Sequence, residues 1–147
     1  MVTQHREWFF GDVIDDRMVV NEAGAMVDEA WRGLAAAFAR ISLDTFVVMP
    51  NHIHAIIFLS PEGPNGNPTL GQVVHRFKSV TTTRYSKGVH LREWQPYDRT
   101  LWQPRFFDHI IRDAIDLNRC RRYIAANPAN WNSDRDREPA HFQDSGE

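Results

Sequence analysis

VVMPNHIHAIIFL, residues 47–59, is a pair of apolar runs broken by Pro50-Asn51, and the second run carries two imidazoles around Ile53. Proline and asparagine between apolar runs read as a turn between strands. Residues 43–49 and 52–59 are therefore expected to pair antiparallel. Side chains at i and i+2 of a strand share one face, about 6.6–6.8 Å apart along the chain. His52 and His54 thus project together from a hairpin whose Val47, Val48, Ile56 and Ile57 are the residues of a buried strand pair. An isolated His-x-His is more often a pair of hydrogen-bonded structural histidines than a metal site, so the spacing by itself decides little.

Working outward, FFGDVIDDRMVVN has two β-prone runs around Asp15-Asp16 and predicts a hairpin over residues 9–20. NEAGAMVDEAWRGLAAAFAR follows, with Met26, Val27, Ala30, Trp31, Leu34, Ala35 and Phe38 at helical spacing behind Asn21 as N-cap. Residues 60–68, SPEGPNGNP, have the composition of a mobile loop. Thr69 can cap a second helix running to about Lys87, with Leu70, Val73, Val74, Phe77 and Val80 inward. Residues 88–104 are polar, aromatic and irregular, which predicts a loop lying over a surface, and RFFDHII, residues 105–111, alternates as a strand. DAIDLNRCRRYIAAN predicts a third helix, stopped at Asn127 because Pro128 disfavours helical geometry in the residue before it. The resulting expectation is an α+β sandwich of ferredoxin-like or RRM-like topology, a mostly antiparallel sheet with helices packed on it. One domain is expected over residues 1–131, with a polar, flexible tail over residues 132–147.

The composition agrees with this reading. A chain of 147 residues with 42% hydrophobic and 24% charged residues fits a single folded domain. No apolar run approaches a membrane span and the first ten residues lack a signal-peptide stretch, so a cytoplasmic protein without membrane partners is expected. Cys120 stands alone, which excludes a disulfide framework and a cysteine-based zinc site. The net charge of -2 conceals a basic block: residues 69–127 hold 11 basic and 5 acidic residues, between a segment with 4 and 9 and a tail with 2 and 5. A polyanion would bind there.

Tyr123 and Asn127 lie four residues apart on the third helix and share a face. Each alone has an ordinary structural explanation. The ordered combination, Pro-Asn-His-x-His on a strand and Tyr-x-x-x-Asn-Pro on a helix after a basic segment, points to one site. Arg76, Lys78, Arg119 and Arg122 are candidates for DNA phosphate contacts. Trp94, Tyr97 and Trp102 are candidates for stacking on bases, although packing is the commoner role of such residues. His109, on the same strand face as Phe107 and Ile111, is expected to be structural, with approach to a metal or leaving oxygen as the other option. Tyr85 and Tyr97 lack a polar partner at helical spacing before a proline.

VVMPNHIHAII, LGQVVHRFKSVTT, LWQPRFFDHIIRD and RRYIAANPANW resemble the HUH-type single-tyrosine transposases, especially the REP-associated tyrosine transposases and their IS200-like relatives, over about residues 9–131. The resemblance implies a divalent ion, Mg²⁺ or Mn²⁺, held by His52, His54 and Asn127, and a nucleophile, Tyr123, that attacks single-stranded DNA with hairpin or inverted-repeat structure. The product would be a 5'-phosphotyrosine with a free 3'-OH, which strand transfer can reseal without ATP. Free phenols are almost wholly protonated near neutrality, so the ion would carry much of the work. Donor chemistry alone favours Mn²⁺ or Zn²⁺ over Mg²⁺. Family members exist as monomers and as homodimers in which the tyrosine serves the partner's histidines. They also carry an apolar strand ahead of the equivalent of VTQHREWFFG, so a shortened first strand and an open edge beside the histidine strand or its neighbour are expected. Two other readings stay open: a domesticated nucleic-acid-binding module that no longer cuts, and a metallohydrolase that activates water.

Overall fold

Asp15 and Asp16, at φ of 50° and 60°, close the first hairpin, β1 (Gly11–Ile14) and β2 (Arg17–Val20), with Gly11 opposite Val20. A two-residue link of this kind needs positive φ at both positions to match strand twist, and aspartate tolerates it. The structure, a computed structural model, describes residues 1–60 and 68–139. The loop expected at residues 60–68 lies almost wholly outside them. Helix α1 (Glu22–Ala37) starts where Asn21 Oδ1 accepts from Gly24 N at 2.8 Å, and it buries Ala23, Val27, Ala30, Trp31 and Leu34. Strands β3 (Ile41–Met49) and β4 (His52–Leu59) pair antiparallel, with Met49 opposite His52 across the Pro50-Asn51 link. Helix α2 (Leu70–Arg92) opens with a capping box between Thr69 and Gln72. Helix α3 (Ala114–Ala126) opens with Asp113 accepting from Asp116 N at 2.7 Å.

Helices α1 and α2 pack on each other, α1 also covers β3, and α3 lies against both strands of the second hairpin. The core between them is aromatic, with Phe10, Trp31, Phe77, Tyr85 and Trp102 all buried. Trp102 Nε1 donates to Thr81 Oγ1 at 2.9 Å, so the threonine run in the middle of α2 satisfies an indole that would otherwise be buried unpaired. This is the α+β arrangement expected from the sequence, built among the described residues as two small antiparallel sheets with three α-helices against them. Among the described residues no helix is long and apolar enough to cross a membrane.

Three expectations are corrected. The second helix continues five residues past Lys87, to Arg92, and ends on Glu93 in a left-handed conformation. Residues 105–111 are not a strand: Pro104 precedes them, and Phe107 and Ile110 are 93% and 68% exposed, so the alternation faces no sheet. Nor is the edge beside His52 open. Val2 bridges His52 and Thr3 bridges Trp102, with Ile53 N donating to Met1 O at 2.9 Å, Thr3 N to Asn51 O at 2.8 Å and Gln103 N to Val2 O at 2.9 Å. Residues 1–3 thus lie between the start of β4 and residues 101–103.

Two glycines of α1 should respond oppositely to alanine. A Cβ on Gly24 would be built into the carbonyl oxygen of Phe10, whereas one on Gly33 meets nothing within 4 Å. Alanine is favoured over glycine in a helix by about 0.8–1 kcal/mol. Gly33→Ala should therefore raise the melting temperature and Gly24→Ala lower it; a rise in both would show that α1 does not pack on the first hairpin as described.

Candidate metal centre and tyrosine site

Asn51, in the link between β3 and β4, is fully buried, and its amide is oriented by two backbone carbonyls. Nδ2 donates to Arg6 O at 3.1 Å and to Asp136 O at 2.5 Å, so Oδ1 is the atom left to face His52 Nδ1 at 2.7 Å. An amide oxygen only accepts, so His52 carries its proton on Nδ1 and presents a lone pair at Nε2. Asn127 faces that lone pair. Its Nδ2 donates to Tyr123 O at 3.1 Å, which turns its Oδ1 toward His52 Nε2 at 3.4 Å. Asp134 Oδ2 lies 3.8 Å from the same nitrogen.

Three acceptor atoms with no donor among them repel unless a cation or a proton sits between them. Burial disfavours the proton. It lowers His52 more than the Asp134 carboxylate raises it, and it lowers His54 to about 4, with His52 as the second cause. Both imidazoles are therefore neutral near pH 7, as metal ligands must be. Two atoms each about 2.1 Å from one ion stand roughly 3.0–3.5 Å apart at octahedral to tetrahedral angles. The Nε2 to Oδ1 distance of 3.4 Å falls in that range. The donor set fits a divalent ion.

His54 stands beside His52 on β4, with ring centroids 4.8 Å apart and planes at 79°. Tyr123 meets His54 edge-on, with centroids 5.4 Å apart and planes at 76°, and is 57% exposed. A cavity of about 390 Å³ opens there, lined by His54, Tyr123, Asn127, Asp134, Arg135 and Asp136. The four residues singled out by spacing, His52, His54, Tyr123 and Asn127, are brought together. Another cavity of about 380 Å³ lies against the first hairpin between Ile14, Val19 and Val20, and it holds no comparable cluster.

Helix α3 is set against the sheet by an irregularity in β3. Leu43 opposes Ile57 and Phe46 opposes Ala55, so Asp44 and Thr45 together stand across from one residue. Such a bulge re-aims a side chain, and here Asp44 receives Arg121 Nε and Nη2 at 2.8 and 2.9 Å. Helix α3 is thus tied to β3 through Arg121, and Asn127 at its C-terminal end faces the histidine strand.

The remaining sequence candidates are dispersed. Arg76 on α2 and Arg119 and Arg122 on α3 are exposed; Arg119 lies 4.0 Å from Asp116. Lys78 is half-buried and donates to Gln103 O at 2.7 Å. Trp94 and Tyr97 pack against Tyr85, and Trp102 is in the core. Tyr85 is buried, with its phenol pushed up by burial, and donates to Gln95 O at 2.8 Å. His109 bonds Asp116 at 2.7 Å, and with Cys120 these groups lie within 4.8 Å of one another. That cluster is a weaker cation site, because burial and Asp116 push the Cys120 thiol up and keep it protonated.

Sequence reasoning missed Asn51, treated only as a turn residue, and residues 131–137, which run back over the site. Trp131 is buried 5.4 Å from the Trp8 ring and 5.9 Å from His52. Trp8 Nε1 donates to Arg137 O at 2.7 Å and Arg6 Nη1 to Arg135 O at 3.2 Å. The one available signal was Trp131, an apolar anchor in an otherwise polar stretch.

Residues 4–127 match the family model described as "Transposase IS200 like". An uncharacterized protein of Haemophilus influenzae is 29% identical over 148 aligned positions, which cover 89% of this chain and 78% of that protein. No solved structure gives a significant match.

The Asp44–Arg121 pair has a pH signature. Arg121 holds the Asp44 carboxyl at about 2, below its ordinary 3.8. A depressed folded-state pKa stabilises above the unfolded value and the benefit fades as pH falls through the folded one. Wild type should therefore melt above Asp44→Asn at pH 5–7, and the gap should close between about pH 4 and 2. A constant gap across that window would remove the ion pair as the tie on α3.

Proposed function

The chain belongs to the IS200-like transposase family, and on that premise we propose that it nicks single-stranded, hairpin-associated DNA and transfers the strand, using Tyr123 with a divalent ion, Mg²⁺ or Mn²⁺, held by His52, His54 and Asn127. DNA is the partner that the family implies. The observation that carries the reading is the meeting of Tyr123 with the converging lone pairs: its ring touches His54, and it lines the same cavity as Asn127.

Each residue has a task. Asn51 fixes the His52 tautomer from behind, the second-sphere role that orients a ligand and raises its basicity. Asn127 spans the site, since its oxygen faces His52 and its amide nitrogen holds the backbone of Tyr123. The nucleophile and the ligands are thereby kept in register by one side chain. Tyr123 stays open to a phosphodiester because more than half of it is exposed. Its Oη forms a bond to phosphorus as the bond from phosphorus to O3' breaks; the phenol proton passes to solvent and the departing O3' takes one up. The bound ion would polarise the phosphate and neutralise the charge that develops on it. Because the phosphotyrosine remains a phosphodiester, a second 3'-OH can reverse the step on another strand. With tyrosine and ligands from one chain at one cavity, the reading has cleavage occur in cis. Arg76, Arg119 and Arg122, all exposed, are the cations it assigns to phosphates, and Lys78 contributes if it exchanges Gln103 O for DNA.

Labelled hairpin oligonucleotides incubated with the protein and Mn²⁺ should give a denaturant-resistant protein–DNA band. Tyr123→Phe should reduce it on the order of 10³-fold or more, and the double substitution His52→Ala, His54→Ala should abolish it. A band that persists in Tyr123→Phe would remove Tyr123 from the role. Salt-sensitive DNA binding with no adduct on any substrate or metal would instead identify a module that no longer cuts.

A further inference from the structure

Asp134 is held as deliberately as the residues that the sequence pattern announces. Its two carboxylate oxygens have different surroundings: Oδ1 accepts from Asp136 N at 2.8 Å, and Oδ2 is turned to His52 Nε2 at 3.8 Å. The side chain is only 15% exposed. The backbone that follows it is fastened in three places, by Asn51 to Asp136 O, by Arg6 to Arg135 O and by Trp8 to Arg137 O. Trp131 anchors the segment from below, between Trp8 and His52. Asn51 is the common element, since its Oδ1 orients His52 while its Nδ2 holds the turn that delivers Asp134. A merely solvated carboxylate would need none of this.

We propose that Asp134 Oδ2 is a fourth protein ligand to the divalent ion, an inference that rests on the ion-dependent reading above. Two imidazoles and an amide are neutral donors, and hard divalent ions bind most firmly where a carboxylate supplies charge. The separation of 3.8 Å from His52 Nε2 needs only a few tenths of an ångström of closure to reach the roughly 3.0–3.5 Å spacing of neighbouring ligands on one ion. Asp134 also completes the case for a cation, because it adds a negative charge to a pair of lone pairs already in opposition.

The test uses the full chain without DNA and reads Mn²⁺ binding by electron paramagnetic resonance titration. Asp134→Asn keeps the acceptor for Asp136 N and the volume of the side chain. It should weaken Mn²⁺ binding by about 10- to 100-fold, on the scale of lost partners at metal sites, with little change in melting temperature. Glu138→Gln is the control: it removes the same charge from the same segment at a residue outside the cavity lining, where the carboxylate lies 2.6 Å from Arg137 Nη1, and should leave affinity within about twofold. Equal weakening by both would reduce Asp134 to a source of field and overturn its place as a ligand, as would wild-type affinity in Asp134→Asn. The double substitution His52→Ala, His54→Ala separates the two levels. If it abolishes binding while Asp134→Asn does not weaken it, the fourth ligand fails and the site stands; if it leaves binding unchanged, the ion site itself fails.

Discussion

A lone pair on His52 Nε2 faces the amide oxygen of Asn127 and the carboxylate of Asp134, and that unfavourable arrangement is the constraint on which the rest of the site depends. It is not an accident of a loose side chain. His52 is fully buried, its other nitrogen is committed to Asn51, and Asn51 is itself committed to two backbone carbonyls. Each group is locked by the next, so the lone pairs cannot turn away from one another. Protonation of the imidazole would relieve the conflict, but burial opposes it. A divalent ion relieves it without that cost.

The fold is arranged around this point. Residues 1–3 pair with the start of β4 and carry the chain into Arg6 and Trp8, which hold residues 135–137. The sheet face opposite the aromatic core is left to His52 and His54, and α3 covers it. The bulge at Asp44 gives α3 its ion-paired anchor at Arg121, and Ile124, which the helix buries, gives it a second. Tyr123 lies between the two anchors, which is how an exposed side chain on a surface helix acquires a fixed position beside His52 and His54.

Legibility in the sequence followed the range of the forces involved. The caps at Asn21 and Thr69, the pairing of β3 with β4, and the shared faces of His52 with His54 and of Tyr123 with Asn127 all depend on spacing within a few residues, and all were readable. The bulge at Asp44 was not, because the alternation of β3 gives no sign of where one residue is doubled. The strap over residues 131–137 is held largely through its backbone carbonyls, which every sequence possesses. Residues 105–111 erred in the other direction: an alternating pattern needs a neighbouring strand, and among the described residues no strand pairs with them. Asn51 looked like a turn residue because it is one, and its second task shows only once Arg6 and Asp136 are seen beside it.

The central claim, that the site is built around a cation between β4 and α3, is tested most directly by anomalous scattering from crystals of the full chain soaked in Mn²⁺. The account predicts one strong peak within bonding distance of His52 Nε2 and Asn127 Oδ1, on the Tyr123 side of the histidine strand. A peak at His109, Asp116 and Cys120 with none beside His52, or no ordered peak at all, would contradict it.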